Sequence, residues 1–281
     1  MTTLSEELRG SWESQQSIHA PDRELRFQLM LDHVEQLAGR PARVLDLACG
    51  PGSITRRVLQ RFPFAEVVAI DIDPLLLDLA RTAFEGDPRV DVREIQLFDP
   101  HWHEKLRDKA GAVGRQGRLE GGLRDGLQRG LHGGLAGGRG AGFDAVLTST
   151  AMHWLPPEAL AWVYAGAARL LRPGGVFANA DHMPLADPVL RQAADDLHAQ
   201  RLCDAFTHGA ESCDDWYHRA YAQPDYAGLW EERRRRLSHW IGDLLQPADW
   251  HLDQLRRAGY AHADIIWRRA NDAIALAVTP I

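Results

Sequence analysis

The chain has 281 residues, 45% of them apolar, which suffices to bury the core of one large domain or of one domain carrying a sizeable insertion. Its formal net charge of −7 argues against a nucleic-acid partner, because neutralising phosphates demands a concentrated positive surface. No apolar run approaches the roughly 18 to 20 residues that span a bilayer, so no membrane partner is expected.

Three cysteines, Cys49, Cys203 and Cys213, form no metal-ligand spacing and are an odd number, so a reducing cytoplasm is the expected location. The polar start MTTLSEELRGSWESQQ indicates no export signal. Lysine occurs only at Lys105 and Lys109 among 32 basic residues, a bias that codon usage explains better than function.

Residues 1–40 read as an N-terminal helical segment. Within it, Leu25, Leu29, Val34 and Leu37 recur at helical intervals over 22–38, and Gly39 and Pro41 stop the run. Then follow ARVLDLA (strand), GSITRRVLQRF (helix), EVVAIDI (strand), a helix with Asp73 as N-cap and Pro74 at its first position, and RVDVREIQL (strand). Such alternation makes a parallel sheet covered on both faces, with a ligand crevice at the carboxyl ends of its strands.

The rhythm breaks in a flexible insertion rich in Gly, Leu and Arg, spanning 105–142. It holds 13 of the 25 glycines between residues 110 and 142, and Leu119, Leu123, Leu127, Leu131 and Leu135 recur every fourth residue. Each interior glycine costs a helix about 1 kcal/mol, so the leucine seam alone does not make one. Order resumes with FDAVLTS (strand), a helix ending before the turn Arg172-Pro173-Gly174-Gly175, and VFANADH (strand). Residues 183–248 read as a helical cap holding Trp216, Tyr217, Trp230 and Trp240. The core, 41–182, resumes at 249–281 with one more helix. Two strands joined through Ala270-Asn271-Asp272 then put the last strand antiparallel at or near the sheet edge. The fold expected is an α/β, Rossmann-like, doubly wound mixed sheet of seven strands.

The stretch VLDLACGPGSIT decides between ligands. It lacks the Gly-Lys-Ser/Thr of a phosphate loop, and a dinucleotide fingerprint started at Gly50 and Gly52 would need its third glycine where Thr55 stands. Asp46 at the strand end would repel a pyrophosphate and suits a ligand carrying an ammonium group. A nicotinamide-dependent oxidoreductase is disfavoured on these grounds.

The run Asp46-Leu47-Ala48-Cys49-Gly50-Pro51-Gly52 resembles the first motif, E/D-x-G-x-G-x-G, of the class I S-adenosylmethionine-dependent methyltransferases, departing from it at Ala48. The resemblance implies S-adenosyl-L-methionine as cofactor, with Gly50 and Gly52 lying against it. It assigns Asp71, at the end of the second strand, to the ribose hydroxyls, with Ile72 beside it. Gln96 and Leu97 stand where the family recognises adenine, and Thr150 lies after the fourth strand. The segment TSTAMHWLPP lacks the Asn/Asp-Pro-Pro-Tyr/Phe of amide and DNA methyltransferases and resembles that of small-molecule enzymes.

The resemblance therefore implies methyl transfer to an O or N atom of a small molecule; the alternative is a non-catalytic cofactor-binding or interaction protein on the same fold. His153 and His182, at carboxyl ends facing the crevice, are the candidate general bases. No third ligand accompanies them, so no metal is expected. The cap is expected to close over the acceptor through Trp216 and Trp230. No pattern in the chain specifies the acceptor or the oligomeric state.

Overall fold

A computed structural model describes residues 2–106, 142–238 and 244–281. The glycine-rich segment, apart from its edges, and Trp240 therefore lie outside the described residues.

Among these, β1 (Arg43–Leu47), β2 (Glu66–Asp71), β3 (Val90–Glu94), β4 (Phe143–Ser149), β5 (Leu171–His182), β6 (His262–Arg269) and β7 (Asp272–Val278) form one sheet of order β3-β2-β1-β4-β5-β7-β6. The first five are parallel, and β7 runs antiparallel to both β5 and β6. The expected mixed sheet is thus present, with β6 rather than the terminal β7 at the edge. Positive φ at Ala270 turns the chain between them.

Alternating side chains of the strands feed two cores. On one face, Phe27, Met30 and Val34 of α2 (Arg23–Ala38) and Ile54 and Val58 of α3 (Ser53–Arg61) pack on Val44, Val67 and Leu147. On the other, Leu160 and Val163 of α5 (Pro157–Leu170) and Leu252 and Leu255 of α9 (Ala248–Arg257) pack on Leu45, Leu47 and Phe177. The period-two exposure of strand side chains places each set on its own face.

The sequence RPGG enters β5 rather than forming a separate turn. Gly174 adopts φ +69, and the Gly175 N–H donates to Thr279 Oγ1 at 2.9 Å. β3 is shorter than its apolar pattern suggests, ending at Glu94.

Two helices precede the sheet. α1 (Leu4–His19) starts with a capping box in which Thr3 Oγ1 accepts from the Glu6 N–H and the Glu6 carboxylate accepts from the Thr3 N–H. Leu8 of α1 joins Leu75 and Leu79 of α4 (Pro74–Ala83) and Trp216 of α7 (Cys213–Tyr221) in a third cluster. The expected cap consists of α6 (Pro188–Thr207), α7 and α8 (Leu229–Arg236). These helices pack unequally: Ala194 is the buried residue of α6, whereas α7 buries Trp216, Tyr217 and Ala220. Among the described residues, no helix is long and apolar enough to cross a membrane.

Candidate active site

The turn after β1 is held by Asp46 and Asp71. Asp46 is fully buried, and its Oδ2 accepts from the Thr55 N–H at 3.0 Å and the Thr55 hydroxyl at 2.7 Å. Its Oδ1 has no partner among the described residues. Asp71 Oδ2 accepts from the Gly50 N–H at 2.8 Å, and its Oδ1 from the N–H groups of Ile72 and Asp73 at 2.6 and 2.8 Å. Burial pushes the carboxyl of Asp46 up to about 7 and that of Asp71 up to about 6.

Backbone conformation separates the three small residues of the turn. Gly50 has φ +55, and a Cβ there would approach only the Trp12 ring, at 3.9 Å. Gly52 has φ +88, and a Cβ there would sit 2.3 Å from Phe84 Cε2. Gly52 packs against Phe84 and is not among the residues that line the cavity. Ala48, at the motif's usual first glycine, adopts φ +52. The departure there burdens the backbone rather than intruding on space, because a side chain disfavours this left-handed region.

Asp73 caps α4, its Oδ1 accepting from the N–H groups of Leu75 and Leu76. Its Oδ2 accepts from the Tyr217 hydroxyl at 3.1 Å and from Arg233 Nε at 2.7 Å. The Arg233 guanidinium lies 4.0 Å from the Tyr217 ring centroid, and Arg236 Nη1 donates to the Ile72 carbonyl at 3.0 Å. Thus α7 and α8 are pinned to the end of β2.

These elements enclose a cavity of about 1030 Å³, its open mouth included, at the carboxyl ends of β1, β2 and β4. Asp46, Ala48, Cys49, Gly50, Asp71, Ile72, Leu97 and Thr150 all line it, as the sequence led one to expect. Gln96 does not; it faces a separate cleft with Asp99, Pro156 and Trp162, while Ile95 and Leu97 on either side of it point into the cavity. Tyr217, not Trp216 or Trp230, is the cap aromatic on the wall. Trp216 is fully buried, its indole N–H donating to the Leu8 carbonyl at 3.2 Å and to Ser11 Oγ at 3.0 Å. Trp230 packs edge-on against Tyr221.

The wall opposite the glycine turn consists of residues that reading the sequence missed: Trp12 and Gln16 of α1, and Arg23 and Phe27 of α2. Each pair is spaced four residues apart, one face of a helix, and that spacing was the available signal. Glu13 fastens α1 over the turn, accepting from Ser53 Oγ at 2.5 Å and pairing with Arg23, Arg56 and Arg57. Its carboxyl is held down at about 2 by those cations, against the opposing effect of its own burial.

His153 and His182 do not line the cavity. His153 Nδ1 lies 2.7 Å from Asp181 Oδ1, and its backbone N–H donates to Asp181 Oδ2 at 3.0 Å. His182 Nδ1 lies 2.9 Å from Asp272 Oδ1. His153, Asp181 and His182 offer ligand atoms within 4.8 Å of one another, yet Asp181 already accepts from both His153 N–H donors and from the His182 backbone N–H. The cluster reads as an ion-pair network that fixes the turn Met152–Trp154, whose Met152 and Trp154 are on the wall.

Residues 45–177 match the family described as a methyltransferase domain. The match covers just under half of the chain and includes the glycine turn after β1. Over 77 residues the chain is 40% identical to the trans-aconitate 2-methyltransferase of Streptomyces avermitilis, covering 27% of this chain and 28% of that one. A release factor glutamine methyltransferase of Vibrio cholerae is 32% identical over 91 residues, 32% of this chain and 30% of the relative. The matches thus span under a third of these relatives' lengths. An O-methyltransferase family protein from Burkholderia thailandensis superposes with a TM-score of 0.53 at 18% identity, over 99% of this chain and 63% of the other. At that identity the likeness concerns the fold.

Proposed function

We propose that the chain transfers a methyl group from S-adenosylmethionine to an oxygen or nitrogen atom of a small molecule. The observation that carries this reading is the acid-lined glycine turn opening into a largely apolar cavity at the carboxyl ends of β1, β2 and β4. The residues suit the cofactor chemically. Asp46 keeps an unpartnered carboxylate oxygen for the ammonium end, with Ala48, Cys49 and Gly50 beside it. Asp71 and Ile72 stand at the ribose position, and Ile95, Leu97 and Phe98 supply an apolar slot for adenine. Thr150 completes the wall below the cofactor. Gly52 serves the site by setting the start of α3.

The bound cofactor supplies an electrophilic methyl group, and the protein's task is to align the acceptor and exclude water. Trp12, Gln16, Arg23, Trp154 and Tyr217 bound the remaining space and are assigned to the acceptor. His153 and His182 take the role of positioning this wall in place of the general-base role. An oxygen acceptor is preferred over nitrogen, because the relatives are named for trans-aconitate methylation. Three free cysteines support a cytoplasmic reaction.

Calorimetric titration with S-adenosylhomocysteine tests the reading. Asp71→Asn keeps an acceptor oxygen for the turn but loses the charge, so affinity should fall about tenfold or more. Wild-type affinity in that variant refutes the site assignment. Failure of the wild-type protein to methylate any acid, alcohol or amine in a metabolite extract, with cofactor bound, favours the non-catalytic alternative.

A further inference from the structure

Four rings from four different elements meet on the wall assigned to the acceptor. Trp12 of α1, Phe27 of α2, Trp154 of the turn after β4 and Tyr217 of α7 all line the cavity. Contacts outside the cavity fix them. Trp12 stands edge-on to Trp216 and Tyr217, with ring centroids 4.8 and 6.0 Å apart. Tyr217 is held by Asp73 and by the Arg233 guanidinium over its ring, and the turn bearing Trp154 is held by the His153–Asp181 pair. Met152, Leu155 and Leu237 add apolar surface to the same cavity. Rings fixed in this way take up a flat apolar body at little cost in ordering.

Charge on the wall is unevenly spread. Among the described residues that line the cavity, Asp46, Asp71 and Asp73 carry carboxyls, and Arg23 is the one lysine or arginine. Asp73 is matched by Arg233, and Asp46 and Asp71 belong to the end proposed for the cofactor. Arg23 is engaged on two sides: its Nη1 pairs with Glu13, and its guanidinium lies 4.8 Å from the Phe27 ring centroid. Glu13 sits on α1 between Trp12 and Gln16 and also accepts from the Ser53 hydroxyl, so it touches side chains of two further wall segments. An acceptor carboxylate entering here would lose its water without gaining an unengaged cation. An uncharged body meets no such cost.

We infer that Glu13 determines acceptor specificity: by neutralising Arg23 it leaves a ring-lined wall with no cation to spare, which selects a flat, uncharged acceptor body over a carboxylic acid. The inference rests on the methyltransferase reading and concerns the body of the acceptor rather than the atom methylated.

The test is calorimetry at neutral pH on protein saturated with sinefungin, a cofactor analogue that cannot transfer a methyl group and keeps a positive charge near the sulfonium position. The titrants are 2-naphthamide, its isostere 2-naphthoate and propane-1,2,3-tricarboxylate. The amide should bind saturably, at least about tenfold tighter than either acid. Glu13→Gln keeps an acceptor for Ser53 but removes the charge, so naphthoate should gain about tenfold relative to the amide. Trp154→Leu, which keeps apolar bulk but loses the ring, should weaken the amide about tenfold. Arg23→Met should leave the preference for the amide within about threefold, because Glu13 already cancels that cation. Circular dichroism reports that each variant is folded, and Arg23→Met decides the matter should Glu13→Gln not fold. No binding of the amide, an acid that binds as tightly as the amide, an unchanged preference in folded Glu13→Gln, or a selective loss of naphthoate binding in Arg23→Met overturns the inference. Absence of sinefungin binding by the wild-type protein would instead overturn the methyltransferase reading beneath it.

Discussion

Ala48 stands where the motif it resembles usually has glycine, and replacing it tests how the turn after β1 is built. At φ +52 an L-residue carries about 1 to 2 kcal/mol of left-handed strain, which Ala48→Gly removes. Glycine loosens the unfolded chain, which costs about 0.4 to 1 kcal/mol, and losing a half-buried methyl costs about 0.3 kcal/mol more. Taking mid-range values, the balance is about 0.5 kcal/mol in favour of glycine. The same substitution at a residue with negative φ would instead lose about 1 kcal/mol, so the sign of the change is diagnostic. Equilibrium urea unfolding is the assay: the midpoint should rise at constant slope. A variant destabilised by about 1 kcal/mol would show that Ala48 does not hold this conformation.

Gly52→Ala should cost about 2 to 4 kcal/mol, from the positive φ and the collision with Phe84 together, whereas Gly50→Ala should cost about half as much; urea unfolding of both checks this. Trp216→Ala should lose about 3 to 5 kcal/mol while the folded fraction keeps its S-adenosylhomocysteine affinity, measured by calorimetry at low temperature. The raised carboxyl of Asp46 makes native protein hold a proton that the unfolded chain has released between about pH 4 and 7. Its contribution to stability is therefore complete below that window and lost as pH rises through it. The difference in stability between Asp46→Asn and wild type should move in favour of asparagine from pH 4 to pH 7. A pH-independent difference refutes the assignment.

Local chemistry made part of this site legible and distance hid the rest. The spacing of Asp46, Gly50 and Gly52, and the division of labour between Asp71 and Asp73, follow from strand ends and helix caps. The observed cap bonds of Asp73 to Leu75 and Leu76 agree with that reading. The packing of Phe84 beside Gly52 was not legible, because Phe84 lies 32 residues away and enters only once α4 packs. Trp216 was misread for the same reason: its indole is taken up by Leu8 and Ser11, which a sequence window around the cap does not contain. The neighbouring Tyr217 reaches the wall because Asp73 and Arg233 hold its ring there.

Control of the cavity is correspondingly divided. The end proposed for the cofactor is built from one continuous strand–turn–helix and the adjacent strand end, so local sequence constrains it tightly. The end proposed for the acceptor is assembled from α1, α2, the turn after β4 and α7, elements whose side chains meet only in three dimensions. Polar contacts add to the apolar clusters in tying these pieces together: the Ser53 hydroxyl donates to Glu13, and Arg23 and Arg57 pair with Glu13, His153 with Asp181, and Arg233 with Asp73. A sequence motif can therefore suggest the proposed cofactor, whereas the wall proposed for the acceptor is made by residues such as Trp12, Arg23 and Tyr217, which come together only in the folded chain.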